Sequence, residues 1–215
     1  NNYALSQAYN ATAGNTQNIA TVTPKALTVT GTVVANKEYN AITTASLSGG
    51  TLVGVYASDL ANVTLTQAGS FVSPNIGNVN VTAADTIGGS ASSNYSLVQP
   101  TGLTGLITAK ALYITASAQT KIYGNLNAGT SNSDDGTNTS TQTVNYVNGV
   151  ATNSYQGFSV SGLVGSDAVN TVTLTSAGGL ATAGVGSGPS AYTITASAAA
   201  GTGLGNYAIQ YVSNN

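Results

Sequence analysis

Strict two-residue alternation is the feature that most limits what this chain can fold into. Apolar and hydroxyl side chains alternate in Ala26-Leu27-Thr28-Val29-Thr30 and Asn62-Val63-Thr64-Leu65-Thr66. The pattern returns in Thr171-Val172-Thr173-Leu174-Thr175 and Ala191-Tyr192-Thr193-Ile194-Thr195, and Tyr207, Ile209 and Tyr211 share one face. A period of two places one side-chain set inward and the other outward on a strand. Thr, Val, Ile and Tyr also suit a pleated, half-buried surface. No apolar stripe of helical period runs beyond about two turns. A single helical turn is expected at most, near residues 58–62 or 166–170. Between the strands stand turn-forming runs such as Ser48-Gly49-Gly50 and Gly88-Gly89-Ser90. Asn148-Gly149, between Val144-Asn145-Tyr146-Val147 and Val150-Ala151-Thr152, is the sharpest hairpin signal, because both turn positions need positive φ. The chain is therefore read as all-β, built from small sandwich-like domains, with a β-grasp-like arrangement as the alternative.

The composition narrows function by exclusion. Across 215 residues there is no His, Cys, Met or Trp, and the four cations are all lysines: Lys25, Lys37, Lys110 and Lys121. Charged residues are 5% of the chain, against roughly 25% in an ordinary domain. The sequence thus offers no thiol nucleophile, no imidazole base and no ordinary zinc, copper or haem site. Four lysines and a net charge of −2 cannot neutralise a phosphate backbone, so nucleic acid is not an expected partner. No run of 18 apolar residues is present, so no membrane span is expected. Thr, Ser and Asn together supply 78 of the 215 residues, a bias that suits an extracellular location. Any export signal is expected outside the sequence or removed from it.

The sequence also repeats. Asn2-Tyr3-Ala4-Leu5 recurs as Asn94-Tyr95-Ser96-Leu97 and as Asn206-Tyr207-Ala208-Ile209. Lys25-Ala26-Leu27-Thr28-Val29-Thr30 returns as Lys110-Ala111-Leu112-Tyr113-Ile114-Thr115. Lys37-Glu38-Tyr39-Asn40 is matched by Lys121-Ile122-Tyr123-Gly124-Asn125. Leu52-Val53-Gly54 with Asp59 is matched by Leu163-Val164-Gly165 with Asp167, and Val63-Thr64-Leu65-Thr66 by Val172-Thr173-Leu174-Thr175. The divisions that follow are residues 1–24 as closing strands of a preceding repeat, 25–109 as a first repeat, and 110–215 as a second. The second carries an inserted hairpin near 131–156 and lacks its last strand. Copies of this length are far longer than solenoid units.

At this point the residues resemble a known family. Lys37-Glu38-Tyr39-Asn40-Ala41-Ile42-Thr43-Thr44-Ala45 resembles the YDG repeat of giant bacterial surface or secreted proteins, with Tyr-Asn-Ala where the name motif has Tyr-Asp-Gly. Lys121-Ile122-Tyr123-Gly124-Asn125, Leu163-Val164-Gly165-Ser166-Asp167 and the Asn206-Tyr207 strand resemble the related MBG repeat. Such repeats occur in filamentous-haemagglutinin-like adhesins. The resemblance implies a stalk, fibre or adhesive array at the bacterial surface, with neighbouring copies as partners and no enzymatic activity or cofactor. A strand-exchanged extracellular filament subunit and a carbohydrate-binding module recognising host or matrix glycans are the competing readings.

Few residues suggest chemistry. Asp134-Asp135-Gly136-Thr137-Asn138 is oxygen-rich like a calcium loop, but calcium takes six to eight oxygens and only two carboxylates are local, so a solvated turn is the expected reading and a calcium site at Asp134 and Asp135 the alternative. Asp59 and Asp167 occupy matched positions, as do Lys37 and Lys121; turn capping or an Asp–Lys pair in each copy is expected. A Lys–Asn isopeptide cross-link is the sharper reading of the same residues. Tyr39, Tyr95, Tyr123 and Tyr207 recur with the repeat and are expected to pack. Tyr56, Tyr113, Tyr146 and Tyr155 are the candidates for exposed, sugar-stacking contacts.

Overall fold

The computed structural model describes residues 22–120, 122–123, 146–147, 150–151, 157–179, 182–186 and 192–214. The protein is all-β: among the described residues it is mostly strand, with isolated 3-10 turns and no helix of seven or more residues. Among the described residues no helix is long and apolar enough to cross a membrane. The Asp-Asp-Gly run at 134–136 and Tyr155 lie outside the described residues.

Two compact units form, from interleaved segments. The first takes in the described residues up to Val33 together with Leu47–Ala68 and Ala83–Thr101. The second takes in Val34–Ser46, Gly69–Thr82 and the described residues from Gly102 onward. The repeat describes recurrence along the sequence, whereas these units describe packing.

In the first unit the strand Lys25–Thr30 lies between Tyr95–Val98, which runs parallel to it, and Thr51–Val53, which runs antiparallel. Alternation turns Leu27 and Val29 inward and leaves Thr28 and Thr30 outside. Leu27, Val63 and Tyr95 form the core, covered by Leu52, Val55, Ile87, Ala91 and Leu97. A second antiparallel pair joins Thr64–Thr66 to Thr86–Gly88.

The second unit builds the same three-stranded arrangement. Lys110–Ala116 lies between Tyr207–Val212, parallel, and Phe158–Ser161, antiparallel. Lys110 sits opposite Tyr207 as Lys25 sits opposite Tyr95. Leu112, Ile114, Ala116, Phe158 and Val169 are fully buried. The long pair Ala168–Thr175 and Thr195–Thr202 corresponds to the shorter pair of the first unit, with register shifts near Thr171. The helical turn expected at 166–170 gives way to this strand, which begins at Ala168. In the first repeat a 3-10 turn does form, at Ala57–Asp59. Tyr146–Val147 pairs antiparallel with Val150–Ala151 in the register a two-residue connection requires.

The second unit also contains a five-stranded sheet in the order Lys37–Glu38, Leu103–Thr108, Gly77–Ala83, Gly69–Phe71, Thr44–Ala45. Ile107, Phe71 and Ala45 are buried from this sheet. Lys110 Nζ and Glu38 Oε1 form an ion pair at 2.8 Å on the surface. Such an exposed pair contributes about 0–1 kcal/mol.

The register corrects one alignment made from sequence alone. Val53 pairs with Thr28, and Ser161 pairs with Tyr113, the residue matched to Thr28. Gly54 therefore corresponds to Gly162, three residues before Gly165. Both hold a left-handed backbone, at φ 103 and 111, against the first strand of their repeat. The like-sounding Leu-Val-Gly triplets mislead because strand pairing, not local identity, defines equivalent positions.

Candidate functional site

Each repeat brings its recurring Asp and Tyr together. In the first unit the chain leaves Thr51–Val53 and makes the 3-10 turn Ala57–Asp59, closed by Asp59 N to Tyr56 O at 2.9 Å. A second 3-10 turn, Ser92–Asn94, delivers Tyr95 into its strand. The Tyr95 hydroxyl accepts from Tyr56 N at 3.2 Å and donates to Asp59 Oδ2 at 2.7 Å. Ser58 Oγ donates to Asp59 Oδ1 at 3.2 Å. Lys25 Nζ lies 3.9 Å from the centre of the Tyr56 ring, a cation–π contact.

The second unit repeats this clasp atom for atom. Leu204–Asn206 is the 3-10 turn that delivers Tyr207. The Tyr207 hydroxyl accepts from Val164 N at 3.0 Å and donates to Asp167 Oδ2 at 2.7 Å. Asp167 N closes its own turn onto Val164 O at 3.2 Å. The spacing from the amide donor to the carboxylate is three residues in both clasps, Tyr56 to Asp59 and Val164 to Asp167. The phenol thus ties a tight turn to the start of the closing strand.

The second clasp has further partners, all from the first repeat. Tyr39 donates to Asp167 Oδ2 at 2.8 Å, and its ring meets Tyr207 edge-on at 5.4 Å. Tyr39 is held there because its backbone continues the pairing of Lys37–Glu38 with Leu103–Thr108, its N–H reaching Thr108 O at 2.9 Å. Asn206 Oδ1 accepts from Ile76 N at 3.1 Å, and Asn206 Nδ2 donates to Asn75 Oδ1 at 3.2 Å. Asp167, Asn206 and both tyrosines are buried.

The electrostatics follow from the arrangement. Burial, and then the Asp167 carboxylate, push the Tyr207 and Tyr39 phenols above the ordinary tyrosine range. Burial and the bond to Asp59 push Tyr95 the same way. The phenols keep their protons and donate them to the Asp59 and Asp167 carboxyl groups. This set fastens segments distant in sequence to one another.

Among the described residues, which do not include Lys121, Asp59 and Asp167 meet tyrosine rather than the lysine of an Asp–Lys pair. Lys37 Nζ caps its own loop, donating to Asn40 Oδ1 at 2.9 Å and to the carbonyls of Ile42 and Thr44. That Lys–Asn contact lies on the exposed surface. In the same loop Ala41 holds a left-handed backbone at φ 62, at the position where the name motif has glycine. Of the recurring tyrosines, Tyr39, Tyr95 and Tyr207 are buried, whereas Tyr123 is 64% exposed. Of the sugar-contact candidates, Tyr56 is 39% and Tyr113 48% exposed, on different units. Tyr146 begins a short strand. Among the described residues no three His, Cys, Asp or Glu side chains converge as a metal site. Asn206 had no chemical signal in the sequence beyond recurring before Tyr207.

Among the described residues Asp85 is the other buried acid. Its Oδ1 accepts from Ala68 N at 3.0 Å, and the Gln99 side chain brackets its backbone through two bonds of 2.8 Å. This clamp belongs to the first repeat only, since the counterpart of Asp85 on the closing strand pair is Ile194.

Residues 23–103 match the YDG domain family. Neither a curated protein nor a solved structure matches the chain.

Proposed function

We propose that this chain, with its YDG domain at residues 23–103, is a non-enzymatic structural or adhesive segment of an extracellular bacterial fibre or surface adhesin. The second repeat, read as MBG-like, serves the same purpose. The observation that carries this reading is the duplicated Tyr–Asp clasp, Tyr95 with Asp59 and Tyr207 with Asp167. A protein that builds one fastening twice, and closes the second with Tyr39 of the first repeat, reuses one structural device along its sequence. The near-absence of charge supports it, because copies with net charge near zero associate without long-range repulsion. Mechanical spacing and repeated presentation of a polar surface constitute the mechanism. Attachment to neighbouring copies, to a biofilm matrix or to glycans is the role such a surface performs.

The test is labelling of intact cells of the source organism with an antibody raised against the chain, with electron microscopy of the labelled material. Surface label on fibrous material is expected. Label that appears only after lysis, on no fibre, overturns the reading.

A further inference from the structure

The second repeat is closed by three groups of the first: Tyr39, Asn75 and the Ile76 amide, which engage Asp167 and Asn206. The repeat relationship assigns a counterpart to both sides of that joint. On the receiving side, Asp167 corresponds to Asp59 and Asn206 to Asn94. On the donating side, Tyr39 corresponds to Tyr123. Ile76 corresponds to Val185, because Leu65 pairs with Ile87 and Leu174 with Ala196, a separation of 22 residues in both copies.

The counterparts are exposed where the joint is buried, and Asn75 is matched by Gly184, so on that segment the backbone amide of Val185 is the donor that remains. Tyr39 is buried but Tyr123 is 64% exposed, and Val185 is 92% exposed. Asn206 is buried but Asn94 is exposed. Asp59 receives one tyrosine, Tyr95, where Asp167 receives two. Among the described residues, the first repeat therefore presents a receiving face with its clasp preformed, and the second presents donating groups in water.

We propose that these two faces meet between copies of the chain. Tyr123 of one copy donates to the Asp59 carboxylate of the next, and the segment around Val185 lies against Asn94, as Tyr39 and residues 75–76 do at Asp167 and Asn206. The partner is a second copy of this chain, because the internal joint is a template for the same chemistry. Donor and receiver are different surfaces, so the contact is heterologous and does not close on itself at two subunits. It generates an open series. This rests on the reading of the protein as a serial structural element and specifies how successive copies connect.

The test is sedimentation equilibrium of the full chain as concentration rises to about 1 mM, the range of weak contacts. Wild type is expected to gain mass progressively beyond a pair. Tyr123→Ala, which lacks the donor, and Asn94→Arg, which places a long cation on the receiving face, are each expected to remain at single-chain mass. Both changes are at exposed positions, so circular dichroism and melting temperature are expected to match wild type. An equal mixture of the two retains one intact donor and one intact receiver and is expected to stop at twice the single-chain mass. Wild type that stays single throughout, association that survives both variants, or a mixture that grows beyond pairs overturns the joint. Such a result leaves the fibre reading to the cell-labelling experiment, which does not depend on self-association of the isolated chain.

Discussion

Tyr39 donates its phenolic proton to Asp167 at 2.8 Å although 128 positions separate the two in sequence. Asp167 Oδ2 already receives Tyr207 at 2.7 Å, so one carboxylate oxygen is shared by two phenols. A buried bond to a charged acceptor contributes about 1.5–3 kcal/mol. Tyr39→Phe keeps the ring contact with Tyr207 and removes only the hydroxyl. It is expected to lower stability by about that amount in urea unfolding. Tyr207→Phe should cost more, because it also strands the Val164 amide, which donates to Tyr207 at 3.0 Å. The double variant should show non-additive coupling, since the two phenols share one acceptor.

Alkaline pH should loosen the same clasps. The phenols of Tyr39, Tyr95 and Tyr207 are all raised above their ordinary value, by burial first and by their carboxylate partners second. In the unfolded chain tyrosine releases its proton near pH 10. Above that pH the unfolded state holds fewer protons than the folded state, so stability falls as pH rises. Below it the contribution is fully present. Urea midpoints are expected to decline above about pH 10. Tyr39→Phe should make that decline shallower. A decline equally steep in wild type and Tyr39→Phe would show that Tyr39 is not part of it.

Ala41 is predicted to favour glycine. Its φ of 62 is left-handed, and its Cβ lies where a side chain added at Gly165 would meet it at 2.7 Å. Relieving a left-handed alanine recovers about 1–2 kcal/mol, less about 0.5–1 kcal/mol of added chain entropy. Ala41→Gly should therefore raise the melting temperature slightly. Gly165→Ala should lower it, and Ala41→Gly in the same chain should recover part of the loss.

Gly203 is required by the carboxylate beside it. A Cβ there would overlap the Asp167 side chain, and its φ of 74 is left-handed as well. Gly203→Ala is expected to cost about 1–3 kcal/mol by displacing Asp167. Tyrosine absorbance titration should then show the Tyr207 phenol releasing its proton at lower pH than in wild type.

The matched core leucines test the apolar contribution to each unit. Leu27 and Leu112 are each fully buried at the centre of a three-stranded sheet. Leu27→Ala and Leu112→Ala should each cost about 2–5 kcal/mol in chemical unfolding.

Legibility tracked the range of the interaction. Alternation in Ala26-Leu27-Thr28-Val29-Thr30 identified a strand, and Lys25–Thr30 is one, with Leu27 and Val29 inward. Thr171–Thr175 likewise sits within Ala168–Thr175. A period of two is written in neighbouring residues and needs no partner to be read. The recurring Asp and Tyr positions were also visible, but their partnership was not. Turn capping or a lysine partner was expected for Asp59 and Asp167, whereas buried tyrosines bind both.

The amino-acid order by itself thus determined an all-β chain, a duplicated set of strands and turns, and a composition without the usual catalytic groups. Only the tertiary structure decided that Gly54 corresponds to Gly162, that the first and closing strands of each repeat run parallel, and that Tyr39 joins Asp167. The reason is physical. Strand propensity and alternation act over a few residues. Register and hydrogen-bond partnership are settled by which distant segments bury their apolar faces together, and a polar group then takes the partner that burial leaves within reach.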